Sequence, residues 1–224
     1  MATLAARQYG IVTRAQLAEL GYTDRMIDRA LQAGKLQAWH RDIFAAGHGG
    51  LSPHGLCQAA LMFRGEGAAI SHQSAVWLWG LEKKLEVPVN VTVPWRRHAD
   101  YAIGIHHCPT LRDEDIASTE RLPVTAVPRT LLDYASTAQQ YRLEFAIERA
   151  ERLDLLDPAA VDRILDENPE HPGREPLASA LAICRRTGLR HAGGEPELLT
   201  ALADADAPST DPPRVQRAAE SLRR

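Results

Sequence analysis

Two helix starts and one hairpin, all within the first fifty residues, constrain this chain more than anything that follows. Thr13-Arg14-Ala15-Gln16 is a Thr-x-x-Gln capping box, in which the hydroxyl and the amide satisfy backbone N–H groups left free at a helix start, so a helix is expected from there. Gly21-Tyr22 then makes a tight turn and Thr23 is a good N-cap. Met26, Ile27, Ala30 and Leu31 follow at the i, i+1, i+4, i+5 spacing of one buried helix face, with Arg25, Asp28, Arg29 and Gln32 on the other. Gly34 stands where a C′ glycine ends a helix, and Leu36 to Ala45 reads as two short strands around a polar turn near Arg41-Asp42. Helices closed by a basic, aromatic hairpin are the order of a winged helix-turn-helix.

In such a motif the second helix enters the major groove of DNA, with residues near its N-terminus reaching base edges. Thr23 begins that helix. Arg25 and Arg29 lie one turn apart on its outward side and can meet phosphates or guanine edges together, and Gln32 can read adenine. Lys35, His40 and Arg41 fall where the hairpin would meet the flanking backbone. The expected partner of this set is double-stranded DNA. A solvated helix face is the competing reading, because Asp24 and Asp28 share the surface. The ordered caps, turn and hairpin favour DNA.

Composition limits the partners. The formal charge of −3 over 224 residues is not that of a general polyanion binder, so nucleic-acid affinity must come from a local patch. No apolar run approaches the roughly 20 residues of a membrane-spanning helix, and the N-terminus lacks the basic-then-apolar layout of a secretory signal. Cys57, Cys108 and Cys184 are far apart and odd in number, which argues against a disulfide framework and for a reducing cytoplasm.

The glycine-rich segment around Gly47-His48-Gly49-Gly50 is the expected boundary between a first domain, 1–48, and a second, 51–187. Ser52-Pro53 starts a helix, and Ser71 is expected to cap another that contains Val76, Trp77, Leu78 and Trp79. Val87, Val89, Val91 and Val93 then alternate with polar residues and Pro88, which reads as a half-buried strand with the proline at its start or on an edge. Further strands are expected over 101–107 and 122–125. Helices return with Arg129 to Tyr134, with 139–153 carrying Leu143, Ala146, Ile147 and Ala150 on one stripe, after Asp157-Pro158, and over 177–185. Residues 188–224, rich in Ala, Asp, Pro and Arg, read as a disordered tail. The whole is expected to be α+β: a winged helix-turn-helix, a mixed helix and small-sheet domain, and a helical C-terminal part.

The run from Leu4-Ala5-Ala6-Arg7 to Thr13, on through Gly34-Lys35-Leu36 and Ile43-Phe44-Ala45-Ala46-Gly47, resembles the N-terminal domain of AbiEi-type antitoxins. Ser71-His72-Gln73-Ser74-Ala75, Leu78-Trp79-Gly80-Leu81, Val91-Thr92-Val93-Pro94, Pro123-Val124-Thr125 and Pro128-Arg129-Thr130-Leu131-Leu132-Asp133 resemble successive landmarks of the actinobacterial branch. The likeness spans about 180 residues and lies in the order of the blocks. It implies a DNA-binding, autoregulating, non-enzymatic antitoxin that acts on its own promoter region. The implied protein partner is a cognate nucleotidyltransferase-like toxin, counteracted without a stable complex.

Many relatives of this branch continue into a very-short-patch-repair-like endonuclease domain, whose carboxylates and strand pair are not seen here. A truncated nuclease-like protein, acting as a non-enzymatic DNA- or protein-interaction module, is therefore the alternative reading. Glu82-Lys83-Lys84 spells Glu-x-Lys but lacks an acidic partner strand, and is read as a solvated loop. In His106-His107-Cys108 a strand would put only two potential zinc ligands on one face. Ser74 and His72 lack an oriented triad, and Arg129 with Asp133 reads as an ordinary i, i+4 helix pair. Neither catalytic nor metal-binding residues are expected, and no cofactor. Trp95-Arg96-Arg97-His98 is a loop that suits either phosphate contacts or plain exposure.

Overall fold

The structure, a computed structural model, describes residues 1–47, 49–95 and 103–187. The tail and the Arg96 to His98 segment considered above lie outside the described residues. Helix α1 (Ala2–Arg7), strand β1 (Ile11–Thr13), helices α2 (Arg14–Glu19) and α3 (Asp24–Gln32) and strands β2 (Leu36–His40) and β3 (Ile43–Ala46) form the first unit. Its antiparallel sheet has the order β1-β3-β2. Thr13 accepts the Gln16 N–H through its side chain while Gln16 returns a bond to the Thr13 N–H, so α2 starts on the expected capping box. Thr23 caps α3 by accepting from the Met26 N–H at 3.3 Å. Gly34, at φ +67°, turns the chain out of α3.

Leu17, Ile27, Leu36 and Phe44 are the fully buried anchors between these helices and the sheet, each contributing about 1.5–3 kcal/mol. Met26 departs from the expected apolar face: it is 43% exposed. The stripe that α3 buries is narrower than its apolar composition implies: Ile27 is fully buried, Ala30 and Leu31 only in part. Strand β1 carries no turn or alternation signal in three residues, and only its pairing with β3 makes it a strand.

Ser52 caps helix α4 (Pro53–Arg64) with its hydroxyl. This helix joins the two halves of the molecule. Its Ala59, Met62 and Phe63 pack on Ile11, Ile43 and Ala45 of the first sheet, while Cys57, Ala60 and Leu61 enter the core of a second. That second sheet contains β4 (Ala69–Ile70), β5 (Val89–Val93), β6 (Ile103–His107), β7 (Ile116–Thr119) and β8 (Leu122–Thr125), in the order β6-β5-β4-β8-β7. β5 runs parallel to β6 and antiparallel to β4. Pro88 precedes β5, so the strand loses no ladder bond to it; the strand is internal, and even Thr92 is buried. Of the two places expected for the proline, strand start or edge, it takes the start; the strand itself is not half-buried, since Val89, Val91, Thr92 and Val93 are all buried under α4 and α5 (His72–Leu78).

Helices α6 (Val127–Ala135), α7 (Gln140–Arg152), α8 (Pro158–Glu167) and α9 (Arg174–Thr187) complete the fold. Leu131, Leu132 and Tyr134 of α6 are the centre of their core, flanked by Leu143, Ile147, Val161 and Leu177. Asp157 caps α8 ahead of Pro158, as expected. Two expectations fail at polar residues. Ser71 occupies the N-cap position of α5, but its hydroxyl turns to His72 Nδ1 at 3.0 Å instead of capping. Glu82 is not in a solvated loop: it accepts from Arg142 Nε at 3.2 Å and lies 3.5 Å from the Tyr134 hydroxyl. Arg129 and Asp133 form the expected i, i+4 pair at 2.9 Å, and both are buried, since α6 packs against α5, α7, α8 and α9.

Candidate nucleic-acid interface

The exposed side of α3 is a cationic stripe. Arg25, Arg29 and Gln32 recur within one face at i, i+4, i+7, all three are exposed, and neither arginine has an ion-pair partner among the described residues. Lys35 is exposed just beyond the helix, and Arg41 is exposed at the tip of the β2–β3 turn. Thr23 lies at the other end, its hydroxyl committed to the helix cap.

Arg14 is the residue that sequence reasoning missed. Its Nη1 donates to Asp24 Oδ1 at 2.7 Å and its Nε to Asp42 Oδ1 at 2.9 Å, so it spans the start of α3 and the hairpin turn. The guanidinium also lies 5.4 Å from the Phe44 ring centroid. The Asp42 carboxylate holds the Arg14 guanidinium above its ordinary pKa. Of the two acidic residues that weighed against a cationic face, Asp24 is thereby countered and Asp28 remains. Asp24 and Asp42 are 10 and 28 positions from Arg14, so no local spacing rule could have found these contacts.

His40 is placed differently from the other six. It is half-buried, with its ring 4.0 Å from that of Phe63, so it packs the hairpin on α4. The structure therefore gathers Arg25, Arg29, Gln32, Lys35 and Arg41 on exposed surface and draws His40 toward the interior.

A second polar group surrounds His72. This residue adopts φ +52°, an uncommon conformation for a side chain of its size, and is only 7% exposed. Its ring stacks on His106 with centroids 3.4 Å apart, and His106 Nε2 lies 2.9 Å from Asn90 Oδ1. Burial pushes His72 down to about 3, against the opposing effect of Asp133, and burial lowers His106 as well. Behind them Asp133 meets Arg129 at 2.9 Å and His171 at 3.4 Å, while its Oδ2 has no hydrogen-bond partner among the described residues. Burial works against the Asp133 charge, but His171 and Arg129 outweigh it and hold the carboxyl below its usual range. Arg129 Nη2 also reaches Cys108 Sγ at 3.3 Å. His106 and Cys108 thus face different partners, and among the described residues no group of three His, Cys, Asp or Glu side chains is arranged to hold a metal ion. Nor is any described helix long and apolar enough to cross a membrane.

Residues 1–37 match the family described as "Transcriptional regulator, AbiEi antitoxin", a span that ends within β2. Among solved structures, the chain is similar to the RV2827C protein from Mycobacterium tuberculosis, at a TM-score of 0.54 and 16% identity, over 87% of this chain and 81% of that one. This likeness concerns the fold. No curated protein matches the chain.

Proposed function

We propose that this protein is a DNA-binding transcriptional autoregulator of the antitoxin type. In this reading α1 to β3 are a winged helix-turn-helix occupying residues 1–48, α3 is the recognition helix and the β2–β3 turn is the tip of the wing. The observation that carries it is the exposed stripe of Arg25, Arg29 and Gln32, without ion-pair partners among the described residues and set beside the Arg41 turn, in the segment that matches the AbiEi regulator family. Arg25 and Arg29 contact base edges, Gln32 reads a neighbouring base, and Lys35 and Arg41 fix register on phosphates. Thr23 supports the helix start and places it against the backbone, and His40 orients the wing through Phe63.

Residues 51–187 form the second domain. The protein acts in the cytoplasm on its own promoter region, without catalysis, and counteracts a nucleotidyltransferase-like toxin without forming a stable complex with it. The deciding experiment compares binding to the gene's own upstream duplex and to a shuffled duplex across a salt series. A preference for the native duplex, lost in Arg25→Ala/Arg29→Ala, supports the reading. Lys35→Ala or Arg41→Ala should weaken both duplexes alike and lower the salt slope by about 0.9. Equal, salt-labile binding by the unaltered protein refutes it.

A further inference from the structure

The second half of the molecule contains a pocket of about 360 Å³ in the size range of small-molecule sites, open between the β5–β6 end of the second sheet and the start of α7. His72, His106, Glu86, Gln139, Tyr141 and Arg142 are among its walls. Three independent features of this pocket converge on negative charge.

The first is the helix end. α7 is 13 residues long, its N-cap Gln139 makes no side-chain cap bond, and its first turn contains no acidic residue. The backbone N–H groups of Gln140 and Tyr141 find no acceptor among the described residues, so the positive end of the helix is directed at the pocket without a capping group. The second is Arg142. Its Nε is held from inside by Glu82, which is 17% exposed, whereas its Nη2 is met at 2.7 Å by Glu86, which is 52% exposed. An exposed pair of this kind contributes little and exchanges easily, so Glu86 is a removable occupant of the outer side of Arg142. The third is His72. It is more than nine-tenths buried and its Nδ1 is engaged by Ser71, but its Nε2 has no partner among the described residues although the ring lines the pocket. A backbone conformation at φ +52° holds that ring in place.

We infer that this pocket binds the oxyanion, a phosphate or carboxylate group, of a small molecule, seated on the N-terminus of α7 between Arg142 and His72. The anion accepts from the Gln140 and Tyr141 N–H groups and from Arg142 after displacing the Glu86 carboxylate. His72 donates through Nε2. The pocket volume leaves room for the body of the molecule beside the Tyr141 ring. This site is distinct from the cationic face of α3 and does not depend on the DNA reading.

The test is a titration of the full chain with inorganic phosphate and, separately, with citrate at constant ionic strength, followed by the backbone amide and imidazole NMR signals. Saturable shifts at Gln140, Tyr141 and His72 are expected, and the probe that saturates first identifies the phosphate or carboxylate source. Glu86→Gln, an exposed substitution that leaves the core intact, should tighten binding about threefold by removing the competing carboxylate. His72→Asn, which tolerates the same backbone conformation, should weaken it about tenfold. Arg25→Ala/Arg29→Ala should leave the shifts unchanged, which separates this site from the DNA face. Absence of saturation by both probes, unchanged affinity in Glu86→Gln, or shifts confined to α3 and the β2–β3 turn would each overturn the inference.

Discussion

Arg14 and Asp42 are joined twice: the Arg14 backbone N–H donates to the Asp42 carbonyl at 2.8 Å, and the guanidinium Nε donates to the Asp42 carboxylate at 2.9 Å. The backbone bond fixes the start of α2 against the hairpin turn, and the side chain then carries the link across to Asp24 of α3. Arg14→Ala should cost stability little, about 1 kcal/mol or less, because the three charges are at least a third exposed. DNA affinity should fall further than the loss of one cation implies, since the carboxylates of Asp24 and Asp42 are then uncountered beside the phosphates. Thermal unfolding and duplex binding measured in one buffer test this; a loss of affinity no larger than that of Lys35→Ala would show that the link has no part in recognition.

The buried pair Arg129 and Asp133 makes an opposite demand. With exposures of 4% and 1%, neither charge has solvent to fall back on. Arg129→Met should destabilise the fold by about 3–5 kcal/mol by leaving Asp133 with His171 alone, whereas Arg129→Met/Asp133→Leu should recover a large part of that cost. Urea unfolding of the two variants decides the matter. Equal loss in both would mean that Arg129 acts through packing and through Cys108 instead of through charge.

These two arginines show where the sequence was legible and where it was not. The caps at Thr13, Thr23, Ser52 and Asp157 act within three residues, so the helix starts could be read directly. The stripe of Leu143, Ala146, Ile147 and Ala150 is likewise local and is buried as its period requires. β1, β4 and β7 are two to four residues long and exist through partners 30 or more positions away or a neighbouring strand, so periodicity carried no trace of them. The same holds for Met26, whose exposure is set by tertiary packing and not by its place in the helical period, and for His40, which is drawn inward by Phe63. Of the candidate interface, the α3 stripe was legible because helix geometry alone sets it; the Arg14 clamp was not. The His72 pocket was invisible because it joins α5, β6 and α7, whose proximity is a property of the sheet order.

Acid should loosen the fold earlier than carboxylate titration alone requires. Burial holds folded His72 at about 3, against about 6.5 in an unfolded chain, so between those values the unfolded state takes up a proton that the folded state refuses. Stability attributable to this residue is intact above about pH 6.5 and declines as pH falls toward 3, with a limiting slope of about 1.4 kcal/mol per pH unit. His106, also lowered by burial, acts in the same direction, and Asp133, whose carboxyl is held low, adds its loss only below the ordinary carboxylate range. Urea midpoints between pH 7.5 and 5 should therefore decline, and His72→Asn should flatten the decline. A midpoint independent of pH in the unaltered protein would contradict the burial of a neutral His72.

Gly173 ends the Asn168 to Gly173 break and begins the approach of α9 to α6. A Cβ built there would lie 2.0 Å from the Leu132 carbonyl oxygen and 3.1 Å from the Ser136 nitrogen, which are backbone atoms and cannot rotate away. The contact is fixed from the other side as well, because the Gly173 N–H donates to His171 Nδ1 at 3.1 Å while His171 Nε2 meets Asp133. Gly173→Ala must therefore push α9 off α6 and pull His171 from the buried carboxylate together, at a cost of about 1–3 kcal/mol or more. Gly49→Ala, with nothing within 4 Å of its Cβ, is the control and should be nearly neutral. If urea unfolding finds the two variants equally stable, α9 has freedom to move over α6, and the close approach at Gly173 is not what orients His171 toward Asp133.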